Sequence, residues 1–262
     1  MNIDYYFPHW GPFVQKTKLA QPLVDQLLTR GRQLKGRVDL DHRDSLAGVL
    51  DQEYRFPGGP TKYATAHQVT EDLVLPTSEN PLEWEALARK LKGKGEDVFE
   101  TWFVPGFKPY VDFYIEKMEE RLEMLFMSKP FTWDLESLWI NFQQSSDFQP
   151  PHLHDGHLSF VIYLQFPEEI VEENKKSIGD RKNSGPGTIN FMYGEILDFS
   201  KSVFALLPEE GDLLMFPSWL KHYVIPYKSD VERISVSGNL KFNLTKKESP
   251  SEVLGSLIND RV

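Results

Sequence analysis

The sequence predicts an α+β protein in which a helical and irregular first half packs on a β-rich second half built as a sandwich, jelly roll or small barrel. In the first half, apolar residues recur at helical spacing: Leu23, Val24, Leu27 and Leu28, then Val111, Ile115, Met118, Leu122 and Leu125. After Phe131 the texture changes to short runs of β-forming residues, the later ones separated by PEEG, PSW and YKSD. The chain has 262 residues and is 40% hydrophobic, so it can bury a full core as one large β domain with additions or as two domains. The expected division is 1–130 helical and irregular, 131–244 β core, and 245–262 a polar tail in which Leu254, Leu257 and Ile258 form one docking turn.

The first helix is expected over Pro22 to Leu34, with Pro22 in the first turn, where a missing N–H costs nothing. Lys35 to Thr77 is polar and contains the FPGGP turn cluster, so loops are expected, with one short helix around Ser45 to Asp51. Asn80-Pro81-Leu82-Glu83 is a helix start: Asn as cap, Pro at the first position, and Glu reaching back to the cap amide. Leu87 and Leu91 continue that stripe and Gly93 closes it. A long amphipathic helix runs from Pro109 to before Pro130. Strands are expected over Leu135 to Gln143, Leu158 to Phe166, Thr188 to Tyr193, Val203 to Leu207, Asp212 to Phe216, His222 to Pro226 and Arg233 to Phe242. Glu168 to Gly187 is highly charged and Gly-rich, and reads as a mobile insertion.

Charge and composition exclude several function classes. A net charge of −10 argues against general affinity for a phosphate backbone, so no nucleic-acid partner is expected. With no cysteine there are no disulfides, no thiolate metal sites and no thiol nucleophile. MNIDYYFPHW lacks the pattern of a secretory leader, and no window offers about 18 consecutive apolar residues. A cytoplasmic location without membrane contact is the expectation.

The chemistry concentrates in QPPHLHDGHLSFVIYLQF, Gln149 to Phe166, where His152, His154 and His157 fall within six residues of each other. An isolated histidine cluster of this kind is most often a solvated polar loop. Here, however, Pro150 and Pro151 stiffen the approach, Gly156 permits a bend, and SFVIYL reads as a buried strand. The histidines therefore sit at the mouth of a packed sheet, and residues at i and i+2 of an extended segment share a face. A fourth histidine, His222 in FPSWLKHYVIPY, stands at the start of a later strand, where it can come opposite His152. Neutral imidazole is the commonest transition-metal ligand. On the last strand Arg233, Ser235 and Ser237 alternate with Ile234 and Val236, so Arg233 points into the barrel. A buried guanidinium needs an anion, either a structural Asp or Glu or a ligand carboxylate held bidentately.

The order PPHxH, SFVIYL, GDLLMFPSWLKHxVxP and then RISVS resembles the double-stranded β-helix (jelly-roll, cupin-like) core of the 2-oxoglutarate and Fe(II)-dependent oxygenases, in the prolyl-4-hydroxylase-like branch. The resemblance covers roughly Trp139 to Asn243 and does not extend to the helical first half. It implies Fe(II) held by His152 and His222, and 2-oxoglutarate as cosubstrate, gripped by Arg233 with Ser235 and hydrogen-bonded by Tyr163. Asn141 and Gln143 are further candidates for the cosubstrate wall. The implied reaction couples oxidative decarboxylation of 2-oxoglutarate to succinate and carbon dioxide with hydroxylation of a small-molecule or peptidyl substrate. The Glu168 to Gly187 segment and the Pro57 to Lys62 loop are the expected lids.

One feature departs from the family pattern. The family has a carboxylate two residues after its first histidine, and this chain has His154. Either His154 completes a three-histidine site, or Asp155 swings in as third ligand, or water or substrate fills the position. His157 is expected beside the ligands or at the surface. The competing reading is a cupin-like metal-binding or non-catalytic ligand-binding protein, which has no need of a cation facing the metal.

Overall fold

The computed structural model describes residues 11–43, 48, 50–59, 98–122, 132–178, 184–198 and 200–243. Two antiparallel sheets, four α-helices and one short 3-10 helix (Val38–Leu40) make up the regular structure of those residues. The strands are β1 (Gln15–Lys18), β2 (Glu53–Arg55), β3 (Thr132–Gln143), β4 (Gln149–His152) and β5 (Leu158–Gln165). They continue with β6 (Ile189–Met192), β7 (Val203–Leu206), β8 (Asp212–Pro217), β9 (Lys221–Val224) and β10 (Arg233–Asn243). The helices are α1 (Gln21–Arg32), α2 (Phe99–Trp102), α3 (Val104–Leu122) and α4 (Glu168–Ile178). One sheet has the order β1-β8-β5-β10-β3-β2 and the other β4-β9-β6-β7.

All seven expected strands form, with ends moved by at most three residues. The three that the sequence hides, β1, β2 and β4, are all sheet edges, three or four residues long and rich in polar side chains. Short polar edges are how sheets avoid pairing with other chains. The two prolines of β4 are tolerated because an edge strand needs no donor on its outer side.

Strand β5 is buried on both faces, which explains its unbroken apolar run. On one side Phe160, Ile162 and Leu164 join Val24, Leu27, Phe103, Phe107 and Val111 in a single buried cluster. Gly31 of α1 makes this close approach possible, since a Cβ there would collide with the Ile140 side chain. On the other side Val161 and Tyr163 pack with Leu214 and Phe216, and with Ile189, Phe191 and Val224 of the smaller sheet. The two sheets thus face each other across a second apolar layer, and the site lies at its open end.

Two expectations are corrected. The long helix begins at Val104, with Pro109 inside it. An interior proline costs about 3 kcal/mol through its lost hydrogen bond, but Phe103, Phe107 and Val111 are fully buried on both sides of Pro109 and hold the helix together. In the described part of the Glu168 to Gly187 segment, the expected loose insertion is instead a helix, α4, with Ile170 and Asn174 buried. Acidic Glu168 and Glu169 open the helix and Lys175 and Lys176 close it, matching its dipole. Asn174 Nδ2 donates to the Pro186 carbonyl at 2.7 Å, tying down the returning chain. Of the other expected lid, Pro57 accepts from the Phe99 amide at 2.9 Å and the Gly59 amide donates to Glu100 at 2.5 Å, so this part is fastened to α2. The helix expected at Asn80, most of the one at Ser45 to Asp51, and the C-terminal turn lie outside the described residues. None of the described helices is long and apolar enough to cross a membrane.

Candidate metal and cosubstrate site

Antiparallel pairing of β4 with β9 sets His152 directly opposite His222, with ring centroids 4.4 Å apart. The chain leaves β4 extended, and the His154 amide donates to the Ser218 carbonyl at 3.0 Å, which brings the His154 ring to 5.0 Å from His152 and 5.1 Å from His222. The three potential ligand atoms lie within 4.8 Å of one another. His152 Nδ1 is 2.7 Å from the Pro150 carbonyl oxygen, and His222 Nδ1 is 3.0 Å from that of Leu220. A carbonyl only accepts, so each Nδ1 carries the proton and each Nε2 is left with its lone pair.

Burial keeps these rings neutral. It is the main cause that lowers His222 to about 4 and His154 to about 3, with the His152 imidazole adding to the first and those of His222 and His152 to the second. His152 is lowered as well, burial outweighing the Pro150 carbonyl. Three neutral imidazoles with converging lone pairs are a donor set suited to a divalent first-row ion. Asp155 and His157 are exposed. His157 Nδ1 accepts from the Phe242 amide at 2.9 Å, so that ring closes off β10 and stands apart from the cluster. Gly156, at φ 88°, makes the bend between the two tasks, and a Cβ there would meet the Leu240 carbonyl at 2.8 Å.

The cavity beside the imidazoles has a volume of about 160 Å³, and Asn141, Tyr163, Arg233, Ser235 and Ser237 form part of its wall. Arg233 is 2% exposed, and its Nε and Nη1 have no hydrogen-bond partner. Its neighbour in sequence, Glu232, is engaged by Lys35 at 2.6 Å and Gln144 at 2.8 Å. The guanidinium lies 5.5 Å from the Tyr163 ring centroid. Burial pushes the Tyr163 hydroxyl up to about 12, against the pull of the Arg233 charge, so Tyr163 stays a donor. Asn141 Nδ2 reaches Ser235 Oγ at 3.4 Å, and Asn141 Oδ1 is unpartnered.

Gln143 does not line the cavity, contrary to expectation. It ends β3, where the chain turns, and its amide donates to the Asp147 carbonyl at 3.0 Å. Other residues at the site were not foreseen. Trp139 lines the cavity, 5.7 Å from the His154 ring. Tyr227 accepts from the Arg233 amide at 3.2 Å and donates to the Gln143 carbonyl at 2.6 Å, bracing that end. Glu53, wholly buried on β2, stands opposite Asn141. Trp139 was legible as the inward partner of Ser237 in a paired register, whereas β2 had no strand signal to place Glu53.

Residues 137–239 match the family model described as "Putative 2OG-Fe(II) oxygenase". No curated protein matches by sequence. Among solved structures, a prolyl-4-hydroxylase from Pseudomonas putida is 13% identical over 87% of this chain and 91% of its own, with a TM-score of 0.46. A prolyl hydroxylase from Trichoplax adhaerens, in complex with a hypoxia inducible factor peptide fragment, is 15% identical over 88% and 83%, with a TM-score of 0.38. The dioxygenase for auxin oxidation from Arabidopsis thaliana, bound to 2-oxoglutarate, is 14% identical over 88% and 80%, with a TM-score of 0.40. The class defined by the 137–239 match together with the histidine cluster is the Fe(II)- and 2-oxoglutarate-dependent oxygenase, an oxidoreductase. The match lies within the β core and makes that part of the chain similar to the 2OG-Fe(II) oxygenases, a family whose cofactor and cosubstrate are Fe(II) and 2-oxoglutarate.

Proposed function

We propose that the protein is a hydroxylase in which His152, His154 and His222 hold Fe(II) and Arg233 receives the far carboxylate of 2-oxoglutarate. The observation that carries this reading is the buried Arg233 guanidinium, which has two nitrogens without a partner beside a cluster of neutral imidazoles. An uncompensated buried charge is costly, and a ligand carboxylate is the natural compensation. Two facing antiparallel sheets support a double-stranded β-helix for 131–244, with the 1–130 region as its outer cover.

Bound Fe(II) with 2-oxoglutarate and dioxygen supplies oxidative decarboxylation to succinate and carbon dioxide, coupled to oxidation of a substrate C–H bond. The chain's own residues do the rest. The Pro150 and Leu220 carbonyls fix the imidazole tautomers, Arg233 and Ser235 orient the cosubstrate, Tyr163 remains a protonated donor, and Trp139 narrows the approach. A third histidine where the family has a carboxylate leaves the ion more positive and the dianionic cosubstrate more strongly held. A small-molecule or peptidyl substrate fits this reading.

That same histidine motivates a second reading, a cupin-like ligand-binding protein without turnover. The two separate as follows. Protein loaded anaerobically with Fe(II) develops the metal-to-ligand charge-transfer absorption when 2-oxoglutarate is added and forms succinate in air. His222→Ala abolishes iron binding and His157→Ala leaves it intact. Folded protein that gives neither the absorption nor succinate is not an oxygenase, and equal iron loss in both variants means the ligands are misassigned.

A further inference from the structure

Glu53 is a buried carboxyl that the proposed reaction does not use and that, unlike buried Asp212 and Glu100, has no ion pair or close hydrogen bond to hold it. Across the larger sheet at its level the register reads Glu53, Asn141, Ser235, Tyr163, from β2 through β3 and β10 to β5. Directly paired residues of antiparallel strands share a face, and the other three members of the row line the cavity. Glu53 therefore stands behind the cavity wall, beside Asn141, without lining the cavity itself. It is fully buried, and neither carboxyl oxygen closes a hydrogen bond of good geometry. The charged groups facing it are Asp147 in the turn after β3, and Asp41 and Arg43 ahead of β2. Arg43 is taken by Asp41, at 2.6 Å from Nη2. The Gln149 carboxamide, a cavity residue on β4, also favours the charged form of Glu53.

A buried carboxyl whose facing cation, Arg43, is already ion-paired with Asp41 has two stable conditions: neutral, or paired with something that arrives. What arrives here, on the reading of the previous section, is a dianion, so pairing fails and neutrality wins. We propose that Glu53 is a positioning residue of the cosubstrate site, which takes up one proton as 2-oxoglutarate enters and, as the neutral acid, steadies the Asn141 and Gln149 carboxamides against it. Burial together with Asp147 and Asp41 already raises Glu53 to about 7, so the proton is exchanged within the physiological range. The proposal balances: a solvent proton adds to one carboxylate oxygen, and no bond to the cosubstrate forms or breaks. Its orphan neighbour, Asn141 Oδ1, is then an acceptor for the new O–H.

Proton linkage gives a readout that a merely structural role lacks. The test uses the Mn(II)-loaded full-length protein and titrates 2-oxoglutarate by calorimetry in buffers of different ionisation enthalpy. Wild type takes up close to one proton per cosubstrate at about pH 8 and almost none at about pH 6, and its affinity weakens by up to roughly tenfold per pH unit above about 7. Glu53→Gln, an isostere of the neutral acid, shows no proton uptake and a flat affinity, tighter than wild type at high pH. Glu53→Asp, which keeps the titrating group, keeps the uptake and shows the fold tolerates change there. Equal uptake in wild type and Glu53→Gln overturns the role of Glu53 while leaving the oxygenase reading intact. Failure of wild type to bind 2-oxoglutarate at every pH overturns that reading, and this inference with it.

Discussion

The two faces of the larger sheet are made by the same strands yet follow opposite rules. On β10, Ile234, Val236 and Leu240 point into the cluster shared with the helices, and every member of that cluster is apolar. One residue out of step, Arg233 and Ser235 are equally buried but face the cavity, with Asn141 beside them and Glu53 beyond. Equal burial thus conceals unequal purpose. Unpartnered atoms occur on both sides, on Gln15, Thr17 and Trp102 towards the helices and on Arg233, Asn141 and Glu53 towards the cavity, but only the cavity side sets a buried guanidinium and a buried carboxyl among them. Polar groups left unpaired in a folded interior destabilise it, so this face is held at a cost to stability that a bound ligand removes.

This contrast breaks if substitutions on the two faces behave alike. The largest effect belongs to the helix side: Phe107→Ala removes a ring packed 4.7 Å from Phe103 and 4.5 Å from Phe160. It is expected to cost about 3–5 kcal/mol of stability by chemical denaturation while leaving metal stoichiometry unchanged in the folded fraction. Arg233→Met should do the reverse, weakening 2-oxoglutarate by roughly 3 kcal/mol and raising the Tm of the ligand-free protein, because an unpaired buried charge is gone. A Tm that falls with Arg233→Met would mean that the guanidinium has a structural partner after all.

The smallest effect is acid sensitivity. His222 sits at about 4 in the fold against 6.5 when unfolded. The unfolded chain therefore binds more protons as pH falls through that window, and metal-free stability drops from about pH 6.5 towards about 4, by roughly 1–2 kcal/mol for this one group. Following Tm against pH for wild type and His222→Asn should show the steeper loss in wild type. Parallel curves would remove the buried imidazole from the explanation.

Much of this was legible in the sequence because strand alternation and turn residues are local signals. The seven foreseen strands, all but β7 internal to their sheets, announce themselves, and HxH before a buried run, with Arg233 seventy-nine residues after His154, pointed to residues that the fold brings to one cavity. What stayed hidden has a common cause. QKTK, EYR and QPPH are strands only because a neighbouring strand offers a free edge, so no local pattern marks them. Glu53 went unseen with its strand. Gln143 misled because alternation places it correctly on the inner face, and only the turn after β3 decides that its amide serves Asp147. Helix α4 misled for the opposite reason: charge density suggested solvent, but Ile170 and Asn174, one turn apart, are the residues that dock it.

Helix α4 also reaches further than its own packing. The Glu173 carboxylate accepts from the Lys228 amide at 2.9 Å, the Ser229 amide at 2.8 Å and the Ser229 hydroxyl at 2.7 Å; burial is the largest single influence and opposes ionisation, but these bonds together outweigh it and hold the carboxyl below its ordinary value. These bonds clamp the loop between β9 and β10, the same loop whose Tyr227 buttresses Arg233. The far wall of the cavity is thereby a fixed stop, a ruler laid from the imidazoles to the guanidinium. A dicarboxylate one methylene too long should meet that stop as a collision, and one too short should leave its charge stranded short of Arg233.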